Sequence, residues 1–323
     1  MKNCSRLKNP ILVAGDAKLT YSLTACLLKG GNEVMMYTPN DRAVAIVNTY
    51  LQYQHSITSP MATSENFCTI DNLIKPLNCK IAIAVTHECV TVKRDMLKKI
   101  ESVVADDTII AINTESIALS KLHVVANNPE RMIGANWVEP VHTTSFLEII
   151  TNDYINEAAV QEFYQLAKLF WEKDPYIVKS DCGIRSKVIA ALIREACFLV
   201  ENGYATVQDI DRACRNDAGY YLPFAGNFRY MDLMGTNAYG MVMKDLNPNL
   251  CKDKEVPKLV SNIIDGGGEG MANNKGFYTY GEDEVKDWEE KLQTFSHEIK
   301  EIIDKYPFNY LEEAAPVDKN SYH

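Results

Sequence analysis

The stretch Ile11-Leu-Val-Ala-Gly-Asp-Ala-Lys-Leu-Thr-Tyr-Ser-Leu23 decides the fold of this chain. Four apolar residues form a strand-like run, Gly15 opens a tight turn, and an amphipathic helical pattern follows. That is the strand-turn-helix unit that seats a dinucleotide pyrophosphate on a helix N-terminus. Such a turn ordinarily reads Gly-x-Gly-x-x-Gly. The first glycine permits the turn, the second lets backbone approach the phosphates, and the third lets helix pack on strand. Here those positions are Gly15, Ala17 and Thr20. Ala17 adds one methyl group, and Thr20 is expected to push the helix outward.

Working outward, further apolar runs without alternation begin at Glu33, Ile81, Thr108 and Met132. Such runs suit strands buried on both faces of a parallel sheet. Helical patterns over 19–29 and 91–104 lie between them, which predicts a doubly wound α/β sheet. A helix over 43–53 and then a Ser/Thr-rich loop to Asp71 follow the second strand. From about residue 156 the pattern becomes helical throughout, with helices expected over 157–173, 183–202, 207–216, 230–244, 256–265 and 288–305. Two domains are therefore expected, a dinucleotide-binding α/β domain over 1–178 and an all-α domain over 179–323.

The second strand should end in an acid that binds the adenosine ribose hydroxyls if NAD is the cofactor. It ends in Thr38, which offers one hydroxyl, while nearby Arg42 keeps the 2'-phosphate of NADP as the less favoured alternative.

Bulk properties narrow the partners. The 323 residues are 46% hydrophobic and 24% charged, with a net charge of -10, so a surface built to bind nucleic-acid phosphates is not expected. The 9 Cys show no CxxC pair and no clustering with His, which argues against a structural metal and against a disulfide framework. No apolar run approaches the ~20 residues of a membrane span, and the first residues are polar, so a cytoplasmic protein acting on small molecules is the expectation.

Several later segments resemble one family. Ile112-Asn-Thr-Glu-Ser-Ile, then Arg131-Met-Ile-Gly-Ala-Asn-Trp-Val-Glu-Pro-Val, then Leu147-Glu-Ile-Ile are similar to the N-T-S-S, R-x-x-G-x-H-F-F-N-P and L-V-E-V-I segments of the 3-hydroxyacyl-CoA dehydrogenases. Asp209-Ile-Asp-Arg-Ala, the run from Gly226 to Gly235, and Asn274-Lys-Gly-Phe-Tyr-Thr-Tyr resemble its second-domain segments. The resemblance spans about residues 10 to 281. It implies an N-terminal Rossmann domain binding NAD and a helical C-terminal domain through which members usually form homodimers.

The resemblance also assigns roles. In the family a His takes the proton of the 3-hydroxyl, a Glu orients that His, and a Ser and an Asn bind the substrate oxygen. The His position is Asn136, which cannot accept a proton near neutral pH. The Glu is retained as Glu148. The Ser position is Glu115, a charge in place of a neutral donor, and the Asn position is Ser186. Glu88 and Lys93 match positions beside the nicotinamide end, and Asn113 matches a residue that seats the cofactor. Replacement bases would be a Glu115/Glu148 carboxylate pair or, less favourably, His142 or His87. No Lys or Arg lies between Arg42 and Lys75, where the family's CoA-binding hairpin falls, so a smaller hydroxyacid competes with an acyl-CoA as substrate.

Two readings of function follow. One is an NAD-dependent oxidoreductase of 3-hydroxyacyl-CoA dehydrogenase type, linked to fatty acid metabolism, with an altered active site. The other is a catalytically inactive pseudoenzyme that binds nucleotide or a partner as a dimer.

Overall fold

A computed structural model describes residues 7–52, 63, 65–74 and 76–306. The chain divides into two compact units, Met1–Ser186 and Lys187–His323.

In the first unit, β1 (Ile11–Ala14), α1 (Lys18–Lys29), β2 (Val34–Tyr37), α2 (Ala43–Gln52), β3 (Phe67–Ile70), β4 (Ile81–Ala84), α3 (Val90–Glu101), β5 (Ile109–Ile112), α4 (Leu119–His123), β6 (Met132–Trp137), β7 (Phe146–Thr151), α5 (Glu157–Phe170) and β8 (Asp174–Lys179) follow in order. The strands form one sheet in the order β3-β2-β1-β4-β5-β6-β7-β8. The first six run parallel, β7 pairs antiparallel to β6, and β8 runs parallel to β7. The order 3-2-1-4-5-6 is the doubly wound arrangement, whose chain reversal between β1 and β4 opens a crevice at the C-terminal strand ends.

Period-two alternation distributes β1 between two cores. Ile11 and Val13 pack with residues of α1, α2 and α5 on one face, whereas Leu12 and Ala14 pack with Leu97, Ile100, Leu119 and Leu122 on the other. Burial on both faces is why these strands read as unbroken apolar runs.

Three strands lie outside the five predicted ones. β3 falls inside the stretch read as a Ser/Thr-rich loop, whose residues 53–62 lie outside the described ones. β7 belongs to the dehydrogenase-like segments but carries Glu148 at its centre. β8 begins Asp-Pro and leaves Asp174, Ile177 and Lys179 exposed, as an edge strand can.

The second unit is helical. The chain enters it through α6 (Arg185–Glu201), followed by α7 (Val207–Asn216), α8 (Ala218–Met234), α9 (Thr236–Leu246), α10 (Lys258–Asp265) and α11 (Glu282–Lys305). The helix predicted over 230–244 is two helices, broken at Gly235, where φ is +108°. α7 starts on a reciprocal cap: Thr206 Oγ1 accepts from the Asp209 backbone N–H at 3.1 Å while Asp209 accepts from Thr206. Among the described cysteines Cys26, Cys79, Cys89, Cys182, Cys197, Cys214 and Cys251 are free thiols, whereas Cys68 is disulfide-bonded. No helix among the described residues is long and apolar enough to cross a membrane.

Candidate functional site

At the end of β1 the turn is closed by contact. A side chain at Gly15 would collide with the Val85 carbonyl and sit 2.7 Å from Thr20 Oγ1. Thr20 does not push the helix outward as expected. It is fully buried, and its hydroxyl turns back to accept from the Ala17 backbone N–H at 3.3 Å, giving α1 a first-turn bond in place of a side-chain cap. The residues from Thr20 to Leu28 are all buried, so α1 lies close on the sheet. Thr38, at the end of β2, is buried and donates to Asp16 Oδ1 at 3.2 Å. The Arg42 side chain is exposed.

The ends of β4 and β5 are joined by a buried ammonium. Lys93 is fully buried, and its Nζ donates to Asn113 O at 2.7 Å, with Asn113 Oδ1, Thr86 O and Thr86 Oγ1 also within 3.4 Å. Glu88 completes the set at 3.2 Å. The Asn113 amide closes a ring with the Thr86 backbone, accepting at 2.9 Å and donating at 3.1 Å. Glu88 Oε1 in turn accepts from the backbone N–H groups of Glu115, Ser116 and Ile117, the loop after β5. Burial alone would raise the Glu88 pKa, but the Ser116 and Ile117 N–H groups and the Lys93 charge outweigh it, so the carboxyl lies below its ordinary value. Burial draws the Lys93 pKa down, and Glu88 opposes that pull. These residues hold two strand ends together, and Lys93 spends its hydrogens on protein acceptors.

Sheet register builds the third cluster. Asn136 on β6 stands opposite Glu148 on β7, and Glu148 stands beside Tyr176 on β8. Directly opposed residues put their side chains on one face within reach. Asn136 Nδ2 donates to Glu148 Oε2 at 3.0 Å, and Tyr176 donates its phenol to Glu148 Oε1 at 2.9 Å. The other carboxylate contacts come from the start of α6, whose Ile184 and Arg185 backbone N–H groups donate to Oε1 at 2.8 and 3.1 Å. A carboxylate on free helix N–H groups is electrostatically favoured. Burial, and then the Glu148 charge, push the Tyr176 pKa up, so the phenol remains a donor.

This packing leaves no space at Gly183. An added Cβ would collide with Glu148 Oε2 and lie 3.1 Å from Asn136 Nδ2. Asn136 is itself fully used: Oδ1 accepts from the Thr114 N–H at 2.8 Å, and Nδ2 also donates to Thr114 O at 2.9 Å. Both Asn136 and Glu148 are completely buried.

Glu115 does not share its carboxylate with Glu148. Arg185 Nη1 binds its two oxygens at 3.1 and 3.0 Å, and the Ser186 hydroxyl donates to Oε2. The guanidinium also lies 5.8 Å from the centre of the Phe146 ring. Glu115 and Arg185 are about one-third exposed, at 33% and 28%. The structure thus brings Glu115, Asn136, Glu148 and Ser186 into one neighbourhood. Sequence reasoning missed Arg185 and Tyr176. The signals were a cation next to Ser186 and a tyrosine at an alternate position of an unassigned strand.

The histidines offer little as replacement bases. His142 is buried edge-on against Tyr50, with ring centroids 5.2 Å apart. Burial, then the charges of Lys173 and Lys29, push its pKa down to about 3. His87 is exposed in the loop after β4.

The crevice at the sheet reversal, the tight turn at Gly15 and the start of α1 beyond it suit a dinucleotide. Gly15 would hold the pyrophosphate turn open, Thr38 would face the adenosine ribose, and the Thr86–Glu88 and Asn113 loops would border the nicotinamide. A sequence model for the 3-hydroxyacyl-CoA dehydrogenase NAD-binding domain matches residues 11–182, and one for that family's C-terminal domain matches residues 184–280. The chain is 25% identical over 285 residues to 5-formyl-3-hydroxy-2-methylpyridine 4-carboxylate 5-dehydrogenase of Mesorhizobium japonicum, covering 85% of this chain and 92% of that one. It is 24% identical over 315 residues to L-carnitine dehydrogenase of Oceanobacillus iheyensis, covering 92% and 98%. In fold it is similar to a crystal structure of a 5-formyl-3-hydroxy-2-methylpyridine 4-carboxylic acid 5-dehydrogenase, with a TM-score of 0.84 at 24% identity over 93% of this chain and 99% of that one. With both domain models matched in sequence over most of its length, the chain is a member of the 3-hydroxyacyl-CoA dehydrogenase family and carries that family's NAD-binding domain.

Proposed function

We propose that this protein is an NAD-dependent oxidoreductase acting on a small carboxylate-bearing hydroxy or oxo compound, and not on a hydroxyacyl-CoA in the family manner. The observation that carries the reading is the grip of Arg185 and Ser186 on the Glu115 carboxylate. A guanidinium and a hydroxyl converging on one carboxylate make a receptor for another. NAD, when bound, supplies the hydride acceptor. A substrate carboxylate that takes over Arg185 releases Glu115, which then receives the hydroxyl proton that Asn136 cannot. Glu148 holds Asn136 and the start of α6 in place. The relatives named for a pyridine carboxylate and for L-carnitine are consistent with a small substrate, as is the lack of Lys and Arg between Arg42 and Lys75.

A homodimer through the second unit fits its surface. Of the 17 residues of α6 only Cys197 is buried, while Val188 and Leu192 are more than half exposed. Apolar stripes of this kind ordinarily cover one another between subunits.

The inactive reading has its own support, since both ends of the Asn136 amide are consumed by protein partners. The deciding experiment titrates the purified protein with NADH by fluorescence and then follows NADH oxidation with small 3-oxo acids and with acetoacetyl-CoA. Turnover of an oxo acid with little turnover of the thioester supports the proposal. Binding without any turnover selects the inactive relative, and preferential turnover of the thioester sinks the proposal.

A further inference from the structure

The acid that an NAD site needs at the end of its second strand is absent from β2, yet a carboxylate stands at that place in space. Thr38 occupies the strand end, and its hydroxyl donates to Asp16 Oδ1 at 3.2 Å. Asp16 is the residue directly after Gly15, on the turn itself. Two elements fix it there. Tyr21, one turn into α1, donates its phenol to the same Oδ1, and Asn40, just past β2, donates to the Tyr21 oxygen at 2.7 Å. The Asn40 backbone N–H also donates to Thr38 Oγ1 at 3.2 Å, so turn, helix and strand end form one chain of hydrogen bonds.

Oδ1 is thereby used, whereas Oδ2 has no hydrogen-bond partner among the described residues, and Asp16 is exposed. Burial and then the bond to Asp16 raise the Tyr21 pKa, which keeps the phenol a donor and the carboxylate the acceptor. An ionised oxygen held beside the strand end, with its partner oxygen tied down, has the properties by which an acid on β2 receives ribose hydroxyls. The same charge repels a 2'-phosphate.

We infer that Asp16 is the ribose-binding and cofactor-selecting residue of this protein, supplied from the turn in place of the acid missing from β2. It makes the chain selective for NAD over NADP, against the pull of Arg42. The inference rests on the NAD-binding assignment of the first unit.

The test compares the full-length protein with Asp16→Ala and Asp16→Asn, measuring Kd for NADH and for NADPH by fluorescence titration. The Asn variant keeps an acceptor for Tyr21 and Thr38, so it separates charge from local folding, and circular dichroism checks that both variants fold. Asp16→Ala should weaken NADH by about tenfold, the loss of one hydrogen bond to an ionised group. Both variants should bind NADPH more tightly than the wild type does. An unchanged NADH-to-NADPH preference in the folded Asn variant overturns the inference while leaving NAD binding intact. Failure of the wild type to bind either nucleotide would instead overturn the NAD assignment and this inference together.

Discussion

The ends of β4 and β5 and the paired strands β6 and β7 are both tied by fully buried polar side chains, but in opposite ways. At the first pair an ammonium, Lys93, is shared among several oxygens and balanced by Glu88 at the rim. At the second pair a carboxylate, Glu148, is surrounded by neutral donors from Asn136, Tyr176 and the α6 backbone. One network keeps a charged pair with a path to solvent. In the other, the Asn136 amide stands beside the carboxylate, at the position where the family resemblance leads one to expect an imidazole. The comparison teaches that buried polar side chains can tie strands together either as a balanced charge pair or as a carboxylate among neutral donors.

The sharpest way to break the comparison is at Glu148. Each buried donor left without an acceptor costs about 1–3 kcal/mol, so Glu148→Ala should lower the stability of the first unit by about 4 kcal/mol. Urea denaturation followed by tryptophan fluorescence reads this, since Trp137 and Trp171 are buried in that unit. Glu148→Gln, which keeps one acceptor oxygen, should fall between. A loss under 1 kcal/mol in the Ala variant would mean that the network is not holding the strands.

Next in size is a gain of chemistry. Asn136→His with Glu115→Ser returns a base and a neutral donor to a frame whose Glu148 is already placed. It should raise reduction of an acetoacetyl thioester by about 10²-fold, the lower part of what a positioned acid or base contributes. An N-acetylcysteamine thioester avoids any need for CoA contacts, and NADH absorbance follows the reaction. No gain in a variant that folds and binds NADH would place the defect outside the proton-transfer residues.

What could be read beforehand follows the same division. Strands buried on both faces announced themselves as apolar runs, and Asn136 and Glu148 were picked out through the family resemblance alone, while the antiparallel pairing that sets them opposite each other was not foreseen. Nor was β8, since an edge strand that starts with Asp174 and Pro175 shows neither unbroken apolarity nor a clean polar face. Arg185 was invisible as a site residue because its direction depends on Gly183, whose missing side chain lets the start of α6 press against Glu148. Asp16 was passed over because its neighbour Thr38 is 22 residues away in sequence and meets it only through parallel pairing of β1 with β2. Patterns along one strand or helix survive as sequence, whereas contacts made across strand ends do not.

The smallest effect tests whether the charged network responds to pH as its geometry requires. The Glu88 carboxyl lies below its ordinary value of 4.5 in the folded chain. A carboxyl with a depressed folded pKa contributes stability that is present above the unfolded value and is lost as pH falls through the folded one. Glu88 therefore adds to acid sensitivity below about pH 4.5 and nothing to the slope near neutrality. Glu88→Gln keeps an oxygen for the Ser116 and Ile117 N–H groups but removes the titrating proton site and the charge facing Lys93. The variant should be less stable than the parent at pH 7 and should lose less of that stability on acidification. Comparing urea midpoints of the two proteins at pH 7 and near pH 4 gives the answer: a parallel decline in both would show that neither the backbone donors nor the buried ammonium favours the charged form of the Glu88 carboxyl in the folded chain.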